Sequence, residues 1–196
     1  MIDSIPERLQ KAKEMGATPV NYSEGDPVEQ IFELRKKNKG IQQSLRPGEE
    51  KMKGVDCAID AVGYQARDNQ NPNKEKPTQV IDNCLKVVNA AGSIGLIGVY
   101  ISPDPGAKGG DAKNGIYSFP IADFFDKGIT MGSGQAPVKK YSEYLRDLIV
   151  NGRAKPSKIV SHRINIEDAP DAYSKFDKRI EGYTKVLIRF GEKVAA

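Results

Sequence analysis

The sequence predicts an α/β fold with a parallel sheet, and three observations carry the prediction. Short apolar runs alternate with amphipathic segments of helical period along the first two thirds of the chain. The longest apolar runs, "VDCAIDAV" at 55–62 and "SIGLIGVY" at 93–100, sit beside glycines, as buried strands do. Asp3 follows two residues of which one is Met and one Ile, and leads straight into a helical pattern, which is how a βα junction reads.

The elements follow in order. Ser4-x-x-Glu7 has the form of a capping box, Leu9, Ala12 and Met15 recur at helical spacing, and Gly16 can close the helix in a left-handed turn. "TPVNY" (18–22) is a short strand, followed by a helix over 27–38 that carries Val28, Ile31, Phe32 and Arg35. After the strand at 55–62, Val80, Ile81, Cys84, Leu85 and Val88 share one helical face that stops at Gly92. "SIGLIGVY" and then "GITMGSG" (128–134) are the next strands. From Pro137 the texture changes: "VKKYSEYLRDLIVNG" is an amphipathic helix and "KIVSHRINI" a strand. "EDAPDAYSKFDK" is a short helix with Asp168 as its cap and Pro170 in its first turn, and "YTKVLIRF" is a closing strand. Strands separated by helices give a sheet of the Rossmann kind. The connections at 36–54, 64–79 and 102–115 are longer than the ~2–6 residues usual in such units, so they are expected to be functional or mobile.

Composition narrows the classes of function. A chain of 196 residues, 38% hydrophobic and 29% charged, suffices for a folded domain, or one and a part. Its net charge of +4 is spread along the sequence, which reads as solvated surface and not as a nucleic-acid footprint. No run approaches the ~18 apolar residues of a membrane span, and nothing at the start resembles a signal peptide. Cys57 and Cys84 lie in apolar contexts without a partner motif, so we expect two free buried thiols and a cytoplasmic protein.

Local motifs supply no catalytic machinery. H-E-x-x-H, C-x-x-C, G-x-S-x-G and a Walker loop are all lacking. His162 is the only histidine, and a packed structural role outranks a metal or catalytic one. Gly92, Gly95 and Gly98 recur every three residues, which is not G-x-G-x-x-G; there they let backbone approach something flat and close. Asp3 has two readings. A carboxylate at the end of the second strand of a dinucleotide fold binds the adenosine ribose, whereas beside a helix it can simply cap, and on the residues alone capping ranks ahead. Arg8, one turn on, can pack on an adenine or lie on the surface.

"IDSIPERLQKAKEMGA", "VDCAIDAVG", "AAGSIGLIGVY", "GSGQAPV" and "EDAPDAYSKFD" occur in the order seen in zinc-containing medium-chain alcohol dehydrogenases, which the chain resembles along nearly its whole length. The long loop after "DAVG" and the "DPGA" segment resemble the glutathione-independent formaldehyde dehydrogenase branch. The resemblance implies an NAD site to which Asp3 contributes the ribose contact and Arg8 a place beside the adenine. It also implies cofactor contacts at Val62, Arg67, Ile97, Val99 and Gly134, with only a backbone role at Ile97. Ala136 stands where the family's pattern has a hydroxyl side chain, which would remove one hydrogen bond.

The same resemblance implies an incomplete Rossmann-type sheet. Asp3 would end the second strand, and the first strand, the glycine loop and the zinc ligands have no counterpart in these 196 residues. We expect a partial NAD-binding domain over 1–135 and, over 136–196, the segment that returns to the catalytic domain. No catalytic or metal residue is assigned, although zinc serves the intact family. The function expected is that of part of an NAD-dependent alcohol or formaldehyde dehydrogenase. The alternatives are a non-catalytic nucleotide-binding or complementing module, or a nonfunctional truncation. "TPVNY" should have lost its strand neighbour, and the bare edge of the strand at 55–62 should pair with another copy or with a separately encoded N-terminal half.

Overall fold

A computed structural model describes residues 1–38, 53–71, 73–103, 106 and 110–191. Most of the connection at 36–54 and, of "DPGA", Asp104, Pro105 and Ala107 lie outside the described residues. The chain forms two compact units, one of Met1–Ser4 with Pro19–Ala136 and one of Ile5–Thr18 with Pro137–Ala196.

The first unit holds two parallel sheets. β1 (Ile2–Asp3) pairs with β2 (Val20–Asn21) in the register Ile2–Val20 and Asp3–Asn21, so "TPVNY" does have a strand neighbour, contrary to expectation. Two residues of extended chain suffice for this pairing, and Val20 N–H also donates to the Met1 carbonyl at 2.8 Å. The main sheet has the order β3 (Val55–Asp60), β4 (Val88–Leu96), β5 (Thr130–Ser133). β4 starts earlier than the apolar run suggested and stops at Leu96, because pairing with β3 and β5 ends there and residues 97–100 turn away. α2 (Pro27–Lys37) is capped by Asp26, whose carboxylate accepts from Val28 N–H at 2.7 Å. α3 (Gln79–Val87) and β4 together supply the centre of the core: Leu85 of the helix and Val88 and Ile94 of the strand are almost fully buried, packed with Val28, Ile81 and Ile129. Two further short helices, α4 (Gly110–Lys113) and α5 (Ile121–Asp126), carry too few periodic residues to be legible.

Alternation along β3 gives its two faces different surroundings. Ala58 and Asp60 lie toward the covered side, while Ile59 is 70% exposed and Cys57 is exposed too. The expectation of two buried thiols therefore holds for Cys84 alone. An apolar strand reads as buried on both faces, but β3 is the outer strand of its sheet and only one face is covered by helix. Asn69, in the connection at 64–79, bonds to α3. Asn69 and Asn83 exchange side-chain amide bonds at 3.1 and 3.3 Å, Gln79 donates to Asn83 at 2.9 Å, and Ala66 is buried beneath them.

In the second unit, α1 (Pro6–Glu14) begins after Ile5, and no side chain caps it. The predicted capping box does not form. The Ser4 hydroxyl instead donates to the Tyr22 hydroxyl at 2.9 Å, and Pro6 at the first helical position needs no N–H partner. α6 (Val138–Val150) and α7 (Ala169–Lys178) follow the predicted pattern, although the Asp168 side chain makes no capping bond. β6 (His162–Asn165) and β7 (Val186–Arg189) pair in parallel. His162 stacks on Tyr183 with ring centroids 3.7 Å apart, in keeping with a packed structural role.

Candidate functional site

The three main strands end in one row. Register aligns Asp60 with Leu96 and Leu96 with Ser133, so the connections after β3, β4 and β5 all leave the same edge. In open α/β sheets that carboxyl edge is where ligands bind. Val62 lies two residues beyond the row, Ile97 one, Val99 three and Gly134 one. The first three are about half exposed, at 54%, 54% and 49%, with their side chains uncovered above the strand ends. Gly134 has a φ of +137°, and a Cβ there would meet nothing within 4 Å, so the backbone is open on that side.

Asp60 organises this edge. Its carboxylate, fully buried, accepts from Val62 N–H at 2.8 Å and Gly63 N–H at 2.9 Å through one oxygen, and from the Tyr100 hydroxyl at 2.7 Å through the other. Its main-chain carbonyl accepts from Ile97 N–H at 3.0 Å and Gly98 N–H at 2.8 Å. The two turns are joined further by a bridge between Gly63 and Val99, in which Tyr64 N–H donates to the Val99 carbonyl at 3.0 Å. A buried carboxylate is tolerated here because every oxygen has a donor.

That arrangement also governs nearby ionisation. Burial, reinforced by the hydrogen bond and charge of Asp60, raises the Tyr100 hydroxyl well above the usual phenol range, so it stays a neutral donor. Burial, with a smaller push from the Asp60 charge, raises the Cys84 thiol to about 12. A thiol so held is not a nucleophile at neutral pH.

The other candidates sit elsewhere. Asp3 ends β1, half-buried, and accepts from Ser4 N–H at 2.8 Å. Arg67 lies on the connection after β3, its guanidinium 3.6 Å from Glu75. Arg8, on α1, belongs to the other compact unit. Sequence reading missed Asp60, Gly63, Gly98 and Tyr100 as the frame of the site. The available signal was a carboxylate at the end of a largely apolar strand, three residues before a glycine. Gly98 does permit a close approach, but the partner is the chain's own backbone: a Cβ there would run into the Gly63 amide and the Asp60 carboxylate. Among the described residues no three His, Cys, Asp or Glu side chains gather as a metal ion would require, so the residues present do not fit a zinc site.

No family model matches the chain. It is 35% identical over 177 residues to the glutathione-independent formaldehyde dehydrogenase of Bacillus subtilis, a match covering 90% of this chain and 40% of that protein. It is likewise 35% identical over 179 residues to the Pseudomonas aeruginosa (strain LESB58) enzyme of the same name, covering 89% and 41%. Among solved structures, the alcohol dehydrogenase TADH from Thermus sp. ATN1 superposes with a TM-score of 0.70 at 27% identity, over 97% of this chain and 44% of that one. An alcohol dehydrogenase (rspB) of E. coli CFT073, solved in complex with NADH, is similar in fold, with a TM-score of 0.65 at 22% identity over 96% and 43%. The chain thus spans about 40% of the length of the curated relatives it matches. Over that span it is a homologue of the formaldehyde dehydrogenases and zinc-type alcohol dehydrogenases, matching the Rossmann-like, NAD-binding half of that family.

Proposed function

We propose that this chain provides part of the NAD site of an alcohol or formaldehyde oxidoreductase. The single observation that carries this reading is the common row of Asp60, Leu96 and Ser133, with Val62, Ile97, Val99 and Gly134 in the connections directly beyond it. The loops after β3–β5 contact the second mononucleotide of the cofactor, Arg67 flanks them, and Asp3 accepts from the adenosine ribose. The bound nicotinamide would supply hydride chemistry. The described residues offer no zinc site and no proton relay, so their part is to bind and orient the cofactor. Residues 1–135 act in this reading as the cofactor domain, 136–196 as the segment that completes the catalytic domain, and the cytoplasm as the compartment, which suits two free thiols.

Calorimetric titration with NAD tests it. We expect saturable binding that Asp3→Ala weakens about tenfold, the loss of a charge-assisted ribose contact. Absence of heat with folded wild-type protein would overturn the cofactor reading for the isolated chain.

A second reading has its own support: among the described residues β3 is the outer strand of its sheet, and Ile59 and Cys57 are exposed on one of its faces. That edge would pair with another copy or with a complementing polypeptide. Light scattering across a hundredfold dilution, roughly, distinguishes the two: a concentration-dependent mass supports self-pairing, and a constant monomer counts against it.

A further inference from the structure

We propose that Asp60 is a positioning residue for the nicotinamide half of the bound dinucleotide, an inference that rests on the cofactor reading above. A doubly wound sheet binds its dinucleotide as two mononucleotide halves. Asp3 belongs to the first of these, on β1, whereas β3–β5 form the second. A nicotinamide over the second half would meet the turns at 61–64 and 97–100, and nothing in either turn's own sequence fixes its place. Asp60 does so from below. Its carboxylate gathers the Val62 and Gly63 amides and the Tyr100 hydroxyl at 2.8, 2.9 and 2.7 Å, so the side chain ties the first turn to the second through Tyr100. Its main-chain carbonyl, which any residue would present, accepts from the Ile97 and Gly98 amides. Both turns are therefore fastened to the same strand end, and Val62 and Val99 keep a fixed separation across the Gly63–Val99 bridge.

A flat ring held by two backbone segments is sensitive to their spacing, because hydrogen bonds weaken steeply once geometry departs from ideal. The adenosine half does not depend on this spacing, since Asp3 stands on the other sheet. Loss of Asp60 should thus separate the two halves of the ligand energetically. The Asn side chain keeps an oxygen for the two amides and can donate to the Tyr100 oxygen, so geometry and charge can be told apart.

The experiment compares NADH with ADP-ribose, which lacks the nicotinamide, on the purified chain by calorimetry and by the fluorescence of the reduced ring. Wild type should bind NADH about tenfold more tightly than ADP-ribose. Asp60→Ala should bring the two affinities together and abolish the shift in ring fluorescence, with ADP-ribose affinity changed less than about twofold. Asp60→Asn should restore the preference to within about threefold of wild type. Should Asp60→Ala fail to fold, Tyr100→Phe removes one donor while keeping the ring, and should lower the preference about threefold. An unchanged preference in a folded variant, an equal loss for both ligands, or failure of Asp60→Asn to rescue would overturn the proposal. Wild type that binds neither ligand would overturn the cofactor reading, and the proposal with it.

Discussion

The two compact units bury their apolar side chains in opposite ways. In the unit containing β3–β5, Leu85 and Val88 are each 1% exposed and Ile94 2%, and all three touch one continuous cluster. In the unit containing α6 and α7, the buried hydrophobic residues among the described residues are three alanines, Ala12, Ala169 and Ala172. There Tyr144 stands 60% exposed, Val150 77% and Phe190 79%. Both units have well-formed helices with an apolar stripe, so periodicity does not distinguish them. What differs is whether the stripe has something to lie against. A helix face becomes stabilising only when packed, and large apolar side chains left in water are the mark of a surface that another polypeptide covers.

This contrast can be broken or sharpened by measurement. The largest difference should appear in thiol labelling at pH 8. Cys57 should react at the rate of an exposed thiol, while Cys84 should lag by ~10³-fold or more, as its reaction waits on opening of the core. Its raised pKa adds a sign: protection falls as pH rises from about 9 toward about 12, where the native thiol begins to ionise. Both thiols belong to the first unit, so similar rates would show that its core is no better closed than its surface.

Leu85→Ala should cost about 2–5 kcal/mol in denaturant titration and melt the first unit. Lys127→Met follows. The Lys127 ammonium donates to the carbonyls of Leu85, Lys86 and Val88 at 2.6, 3.2 and 3.0 Å and so closes the C-terminus of α3 from another part of the chain. Removing it should lower the free energy of unfolding by about 2 kcal/mol. Smallest of all, Tyr144→Ser on α6 should change thermal stability by less than about 0.5 kcal/mol in the isolated chain. A loss of several kcal/mol there would show that the stripe is already packed against something.

The fold was legible where information is local. Helix periods, the Asp26–Pro27 start of α2 and the glycine that ends α1 lie within a few residues of what they determine. The candidate cofactor positions were proposed through resemblance alone, and the grouping of Val62, Ile97, Val99 and Gly134 at one edge depends on the register of β3, β4 and β5. Asp60 escaped notice because its partners are distant in sequence, Tyr100 lying 40 residues on. Cys57 was misjudged for a related reason: burial of a strand face is decided by its neighbours and not by the strand. The capping box failed because Ser4 found Tyr22, a partner 18 residues away that no short-range pattern contains.

The contact between the turns at 61–64 and 97–100 has an evolutionary consequence. Gly63, at a φ of +80°, has no room for a Cβ because the Val99 backbone fills the space, and a Cβ on Gly98 would strike Gly63 in return. A side chain at either position must pry the same two strands of backbone apart. Once that separation has happened, the second substitution meets a gap that the first has opened, and its effect is smaller than it would be alone. These two glycines therefore drift as a pair: lineages should keep both or lose both, and single losses should be rare.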